Sequence, residues 1–326
     1  MKIATIDLGT NTALLLIAEI SVDGKINVLR DELRSPRIGK DVDAARRISE
    51  NSFQRVKEVF LEYKELISKY SADKIIATGT SALRDASNRE EFIERMKSET
   101  EIAIEILSGE DEALWTFRGA ISGINNLQEN VAVIDIGGGS TELSYELRVS
   151  SSQFKNKFQV HNTQLATCNF FSKSLNIGAV RITEKFFASL PPKENEIDNA
   201  RKFIYEHLSE IPKEQFTNSQ LIGVAGTVTT LALLAQNVFV FDVSKVANYI
   251  LSIDAIEEWF HILSKKTPQE ILSFTSAANG REDILFAGTL ILFETMQYFS
   301  WSELVVSERG LRYGIALREI YSSTRK

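Results

Sequence analysis

The chain has 326 residues, a formal net charge of −7 and ordinary apolar (44%) and charged (25%) fractions. Its length exceeds what one hydrophobic core usually serves, so two domains are expected, and the acidic balance argues against a protein that grips nucleic acid through a broad basic face. A single cysteine, Cys168, and three scattered histidines, His161, His207 and His261, leave no disulfide and no thiolate site, so any bound cation is expected to be a hard, oxygen-held one.

In chain order, residues 2–12 read as an apolar strand that delivers Asp7 to a turn at Leu8-Gly9, followed by Thr10, Asn11 and Thr12 and a second strand over 12–20. The apolar run 13–18 is too short to cross a bilayer, and Asp7 stands where a leader would be apolar, so a cytoplasmic protein away from the membrane is expected. The basic residues Arg34, Arg37, Lys40, Arg46 and Arg47 that follow are read as a solvated turn in preference to a row of phosphate contacts. The stripe Phe53, Val56, Phe60, Tyr63, Ile67, Tyr70 predicts a helix over 51–70 packed on a sheet.

A strand over 74–77 enters a hydroxyl-rich loop, 78–84, that ends at Arg84, with a helix over roughly 88–99 behind it. Backbone donors and a guanidinium there suit an anion; a surface salt bridge is the equal alternative for Arg84. After a strand at 102–107, Ser108 looks like an N-cap with Glu110, Asp111 and Glu112 in the first helical turn, where the helix dipole favours carboxylates. Spacing alone therefore makes Glu112 a helix-start residue before it makes it a catalyst. That helix runs to about 123, and Asn125-Asn126 marks the domain junction.

Residues 131–142 repeat the opening motif: four apolar residues, Asp135, Ile136, the glycines 137–139, then Ser140, Thr141 and Glu142. A glycine turn and hydroxyls offer donors to phosphate oxygens, while two carboxylates suit Mg²⁺. Two copies of the scheme, at 7 and 135, predict two similar subdomains facing one cleft. Residues 148–171 read as a long hairpin loop in preference to a flap over an anion. A strand–turn pattern resumes over 174–181, and Pro191-Pro192 precedes a helix at 194–209. Residues 221–230 form a further strand–glycine–hydroxyl passage that opens a helix over 229–234. Helices follow over 253–263 and 284–299, with a loop at 276–283 between them. A last strand, 304–307, leads into a final helix beginning at 310–314.

These passages together, in this order, resemble the exopolyphosphatase/guanosine pentaphosphate phosphohydrolase (Ppx/GppA) family in its short form, within the actin–Hsp70–sugar kinase superfamily. The resemblance implies an α/β protein of two ribonuclease-H-like domains flanking an interdomain cleft, 1–124 plus 308–326 and 125–307. By the same resemblance Glu112 activates the attacking water, with Asp135 and Glu142 beside it. Asp7, Thr10, Asn11, Arg84, Gly137, Gly138, Ser140, Thr141, Arg181, Gly226 and Thr227 line the phosphate, and Asp7, Asp135 and Glu142 hold Mg²⁺. The implied reaction releases terminal phosphate from inorganic polyphosphate or guanosine pentaphosphate, with no nucleic-acid or membrane partner and with a homodimer open. Two rival readings are a kinase or ATPase of the same superfamily and a guanosine penta/tetraphosphate-binding module without turnover. The chain departs from the family pattern at Ala225, where many members carry glycine, and at Glu308-Arg309, where small residues are usual.

Overall fold

The structure, a computed structural model, describes residues 1–21, 23–40, 42, 46–147 and 170–323. Most of the expected 148–171 loop, with His161 and Cys168, lies outside the described residues. Among them, no helix is long and apolar enough to cross a membrane.

The described strands form two sheets. The first contains β1 (Lys2–Leu8), β2 (Ala13–Ile20), β3 (Ile26–Arg34), β4 (Lys74–Gly79) and β5 (Ile104–Ile106), in the order β3-β2-β1-β4-β5. The second contains β6 (Asn130–Ile136), β7 (Thr141–Leu147), β8 (Phe170–Leu175), β9 (Gln220–Val224), β10 (Ile250–Ser252) and β11 (Glu303–Val306), in the order β10-β11-β9-β6-β7-β8. In each sheet the motif strand, β1 or β6, pairs antiparallel with the strand after its turn and parallel with a later one. The repeated motif is thus a repeated topology, with β10 added at one edge, and the α/β architecture is that of two ribonuclease-H-like lobes.

Central position explains the composition of the motif strands, since a strand covered on both faces is apolar throughout. Ala4, Ile6 and Leu8 of β1 pack under the Glu50–Tyr70 helix, whose Phe53, Val56, Phe60, Tyr63 and Ile67 are buried as the stripe predicts. Ile3, on the other face, packs with Leu311, Ile315 and Ile320 of the Leu311–Ser323 helix, which returns to this sheet from the end of the chain. Between the sheets lies the Gly109–Ile121 helix, its Phe117 and Ala120 packed with Val131, Val133, Ile222 and Val224. It crosses the last helix almost backbone to backbone: a Cβ on Gly314 would stand 1.7 Å from the Trp115 carbonyl oxygen.

Three local departures from expectation have physical causes. Residues 26–34 form β3, which no strand signal announced: Arg30, Asp31, Glu32 and Arg34 leave an edge strand with little apolar alternation, and its pairing with β2 supplies what composition does not. Arg181 lies in a helix, Ala179–Phe186, and not in a strand–turn passage. The N–H groups of Ala179 and Val180 donate to the carbonyls of Gly137 and Gly138, both at 2.9 Å, so the glycine turn satisfies the helix start. The helix after β9 begins at Ala225 instead of 229, placing Gly226 and Thr227 in its first turn.

Ala225 itself sits at φ +69°, a left-handed conformation that crowds a Cβ. Ala225→Gly is therefore expected to stabilise the fold by roughly 0.5–1 kcal/mol, the steric relief less the entropy glycine returns to the unfolded chain. Urea unfolding of the two proteins checks this; a lower midpoint for the glycine variant would rule out strain at this turn.

Candidate active site

The two strand–turn motifs meet. Thr10, in the turn after β1, lies against the glycine turn after β6: a Cβ on Gly138 would stand 2.9 Å from the Thr10 Cβ, and one on Gly139 would stand 2.5 Å from the Ser81 hydroxyl. No side chain larger than hydrogen fits at either glycine, so the backbone itself lines the cleft. Each turn is closed by a short bond, Gly9 N–H to the Thr12 carbonyl at 2.9 Å and Gly137 N–H to the Ser140 carbonyl at 3.0 Å.

Four carboxylates converge here. Asp135 and Glu142 are direct partners across the β6–β7 ladder, so one rung carries both. Glu142 is buried, and its Oε1 accepts from the Ser140 and Ser174 hydroxyls, each at 2.7 Å. Asp7 is partly buried at the end of β1, with Oδ1 lacking any hydrogen-bond partner. Glu112 comes from the first turn of the Gly109–Ile121 helix, capped by Ser108, which accepts from Asp111 N–H at 3.0 Å. The helix-start explanation suits Glu110 and Asp111, which are exposed, but not Glu112, which is 6% exposed and points inward.

Arg84 is not a surface salt bridge. Its Nη1 donates to Glu112 Oε2 and to the Leu107 carbonyl, both at 2.9 Å, and so fixes the Glu112 carboxylate.

Burial raises the proton affinity of all four, and carboxylate neighbours add to it for Asp7, Glu112 and Asp135. Burial pushes Asp7 up to about 6, eased by Arg312 and increased by Glu142. Burial, then the Glu142 charge, holds Glu112 well above the usual carboxylate range, against the pull of Arg84. Asp135 is raised by burial and by its neighbours Glu142 and Asp7, and Glu142 is raised by burial against its two serine partners. The Thr116 hydroxyl lies beside Asp135 but closes no hydrogen bond.

This donor set suits a hard cation bound through one or two carboxylates and water, since Asp7 Oδ1 is unpartnered and the charges repel one another. The expected three-carboxylate set is not closed into a cage: among the described residues no three His, Cys, Asp or Glu side chains are grouped to hold an ion. Glu142 is turned toward its two serines, both of which donate to Oε1.

The expected phosphate-lining residues divide. Gly137, Gly138, Thr10 and Arg84 border the cleft, whereas the Ser140 hydroxyl is spent on Glu142 and the Thr141 hydroxyl on the Ile177 carbonyl. Asn11 spans the cleft, donating to the Gly280 carbonyl at 3.0 Å. Arg181 donates to the Gly139 carbonyl of its own lobe and pairs with Asp85 of the opposite lobe, both at 2.9 Å, tying the glycine turn across the cleft. Thr227 packs inward on Gly288. Among the arginines of residues 34–47, Arg34 pairs with Glu62 and Glu32 and Arg37 with Asp283 and Glu282, so ion pairs replace the expected solvated turn there, whereas Arg47 pairs with Glu91 at the exposed surface.

One residue escaped the sequence reading. Arg281, in the 276–283 loop, is buried with Nε unpartnered, and its guanidinium lies on Gly226 so closely that a Cβ there would be 1.0 Å from Nη1. Burial lowers its pKa to about 10, partly offset by Glu282. Nothing in a lone arginine of a polar loop announces contact with a glycine 55 positions earlier.

The raised Asp7 pKa has a consequence for stability. The folded form holds its proton to higher pH than the unfolded chain does, so Asp7 contributes least cost below the unfolded value of 3.8 and most above about 6. Asp7→Asn is expected to stabilise the protein by roughly 2 kcal/mol at pH 8, somewhat less than the full shift implies because the side chain is partly accessible. The gain should vanish below about pH 4. Urea unfolding of both proteins from pH 4 to 8 measures it, and a difference independent of pH would mean that Asp7 ionises normally.

The geometry can be set beside known proteins. A model described as the Ppx/GppA phosphatase family matches residues 16–323. A bifunctional 3-dehydroquinate synthase/phosphatase of Fusobacterium nucleatum is 34% identical over 97% of this chain, which spans 46% of that longer protein. Exopolyphosphatase 2 of Mycobacterium tuberculosis is 29% identical over 97% of this chain and 98% of its own length. The crystal structure of the Aquifex aeolicus Ppx/GppA family member superposes with a TM-score of 0.78 at 30% identity, covering 100% of this chain and 99% of that one. The chain, with its paired aspartate–glycine turns, belongs to the Ppx/GppA phosphatase family.

Proposed function

We propose that this phosphatase removes the terminal phosphate of inorganic polyphosphate or guanosine pentaphosphate in a Mg²⁺-dependent hydrolysis, with Glu112 as general base. The observation that carries this reading is the placement of Glu112: a buried carboxylate of raised proton affinity, fixed by Arg84 beside Asp135 and Glu142. End-to-end similarity to an exopolyphosphatase supports the substrate class.

In this mechanism the glycine turn and Arg281 supply donors and positive charge to the phosphate oxygens, where preorganised electrostatics count most. Asp7 and Asp135 would hold the Mg²⁺, whose charge would offset that of the phosphates. Glu112 accepts the proton of a water whose oxygen bonds to the terminal phosphorus as the bridging P–O bond breaks. The shortened chain leaves with the bond's electron pair. Arg84 keeps the Glu112 carboxylate in one orientation while offsetting part of the repulsion from Glu142. We infer that the lobes act as domains, 1–124 plus 308–326 and 125–307, closing on the substrate between them.

The direct test is phosphate release from polyphosphate, guanosine pentaphosphate and ATP in parallel, with and without Mg²⁺. Glu112→Gln is expected to lose at least about 100-fold in kcat while still binding phosphate chains; near-normal turnover would remove Glu112 from the mechanism. Faster turnover of ATP than of either phosphate chain would favour a kinase or ATPase. Arg84→Ala takes a positive charge from Glu112, so the acidic limb of the kcat–pH profile should move to higher pH. An unmoved limb would leave Arg84 a structural tether.

A further inference from the structure

Polar contacts at the cleft mouth join the two lobes without using the carboxylate cluster. Arg37, in the loop after β3, reaches the opposite lobe, where Nη1 and Nη2 donate to the two oxygens of Asp283 at 2.8 and 3.0 Å. Nη2 also reaches Glu282 at 3.3 Å. Two parallel donors on two oxygens is the geometry in which a guanidinium also takes a phosphate. Beside it, Asn11 holds the Gly280 carbonyl, and Gly280, at φ +80°, fits so closely that a Cβ would stand 2.6 Å from the Ser35 hydroxyl.

This clasp is built with strain and left incomplete. Arg37 holds φ +51°, a left-handed conformation unfavourable for a residue with a side chain. It is kept there by its N–H on the Asn11 carbonyl at 3.0 Å and by Arg55, whose Nη2 donates to the Arg37 carbonyl at 3.2 Å. On the other side, Glu282 Oε2 is buried with no hydrogen-bond partner.

The clasp also adjoins the phosphate-facing turns. A Cβ on Gly39 would stand 2.1 Å from Thr10 Cγ2, and Thr10 in turn touches Gly138, so one side chain separates the Arg37 loop from the glycine turn. Glu282 follows Arg281, which lies on Gly226. An anionic chain with its end among these glycines would therefore run beside two carboxylates already seated on an arginine.

We propose that Glu282 and Asp283 are an internal substitute for substrate phosphate: they occupy Arg37 until a phosphate chain long enough to reach it displaces them. Arg37 then binds a phosphate beyond the terminal one, and the acidic pair penalises chains too short to make that exchange. The inference rests on the phosphate-chain reading above but not on turnover.

Binding is therefore measured by calorimetry on the Glu112→Gln protein, with tripolyphosphate and with long-chain polyphosphate. Adding Glu282→Gln and Asp283→Asn should tighten long-chain binding about threefold to tenfold, with a smaller change for tripolyphosphate. Adding Arg37→Ala should weaken long-chain binding about tenfold or more, again with less effect on the short chain. Long-chain affinity that falls or stays constant when the carboxylates are neutralised overturns the proposal, as does an Arg37→Ala loss equal for both lengths. Thermal unfolding confirms that each variant is folded; should the double variant fail, Asp283→Asn alone carries the same expected sign. A protein with this binding pattern but no phosphate release in any assay would keep the clasp and lose the hydrolase.

Discussion

The molecule is organised around a repulsion. Asp7, Glu112, Asp135 and Glu142 share one cleft, where burial raises all four toward protonation and like charge adds to it for the first three. Such a cluster persists only if the surrounding fold offsets its cost. Arg84 answers Glu112, two serine hydroxyls answer Glu142, and Arg312 stands behind Asp7. Arg312 is itself fixed by a two-point pair with Asp31, at 3.1 and 2.9 Å, on the strand that sequence periodicity did not reveal. The unanswered oxygen of Asp7 is where the remaining charge balance would be met by a ligand.

That cluster requires two lobes of the same design. A single β-hairpin motif places one aspartate at one strand end; repeating the topology sets a second aspartate opposite the first, with a glycine turn on one side and a threonine turn on the other. The Gly109–Ile121 helix joins the arrangement, because its inner face packs on the second sheet while its first turn aims Glu112 into the cleft. Its glycine-on-backbone crossing with the last helix brings the lobes close without intervening side chains.

The lobes are joined across the cleft by three donors seated on protein oxygens. Asn11 bridges to Gly280, Arg181 braces the glycine turn while pairing with Asp85, and Arg37 grips Asp283. Each is a donor satisfied by a protein oxygen. Opening the cleft would require these donors to find other partners.

Sequence by itself determined the parts whose signal is local. The two aspartate–glycine motifs, the buried stripe of the 51–70 helix, the Ser108 cap and the α/β class follow from periodicity, turn chemistry and repetition within a few residues, and the structure shows these elements. It did not determine which of three adjacent acidic residues faces inward, that Arg84 holds Glu112, or that Arg281 lies on Gly226, because those depend on contacts between segments far apart in the chain. Nor could it show that Glu142 is turned to its serines, leaving no three-carboxylate cage among the described residues. An edge strand such as β3 and a helix start such as Ala179 were also settled by partners: the β2 ladder for one, the carbonyls of the glycine turn for the other. Residue type fixes which chemistry is available, and only packing fixes which atoms are close enough to use it.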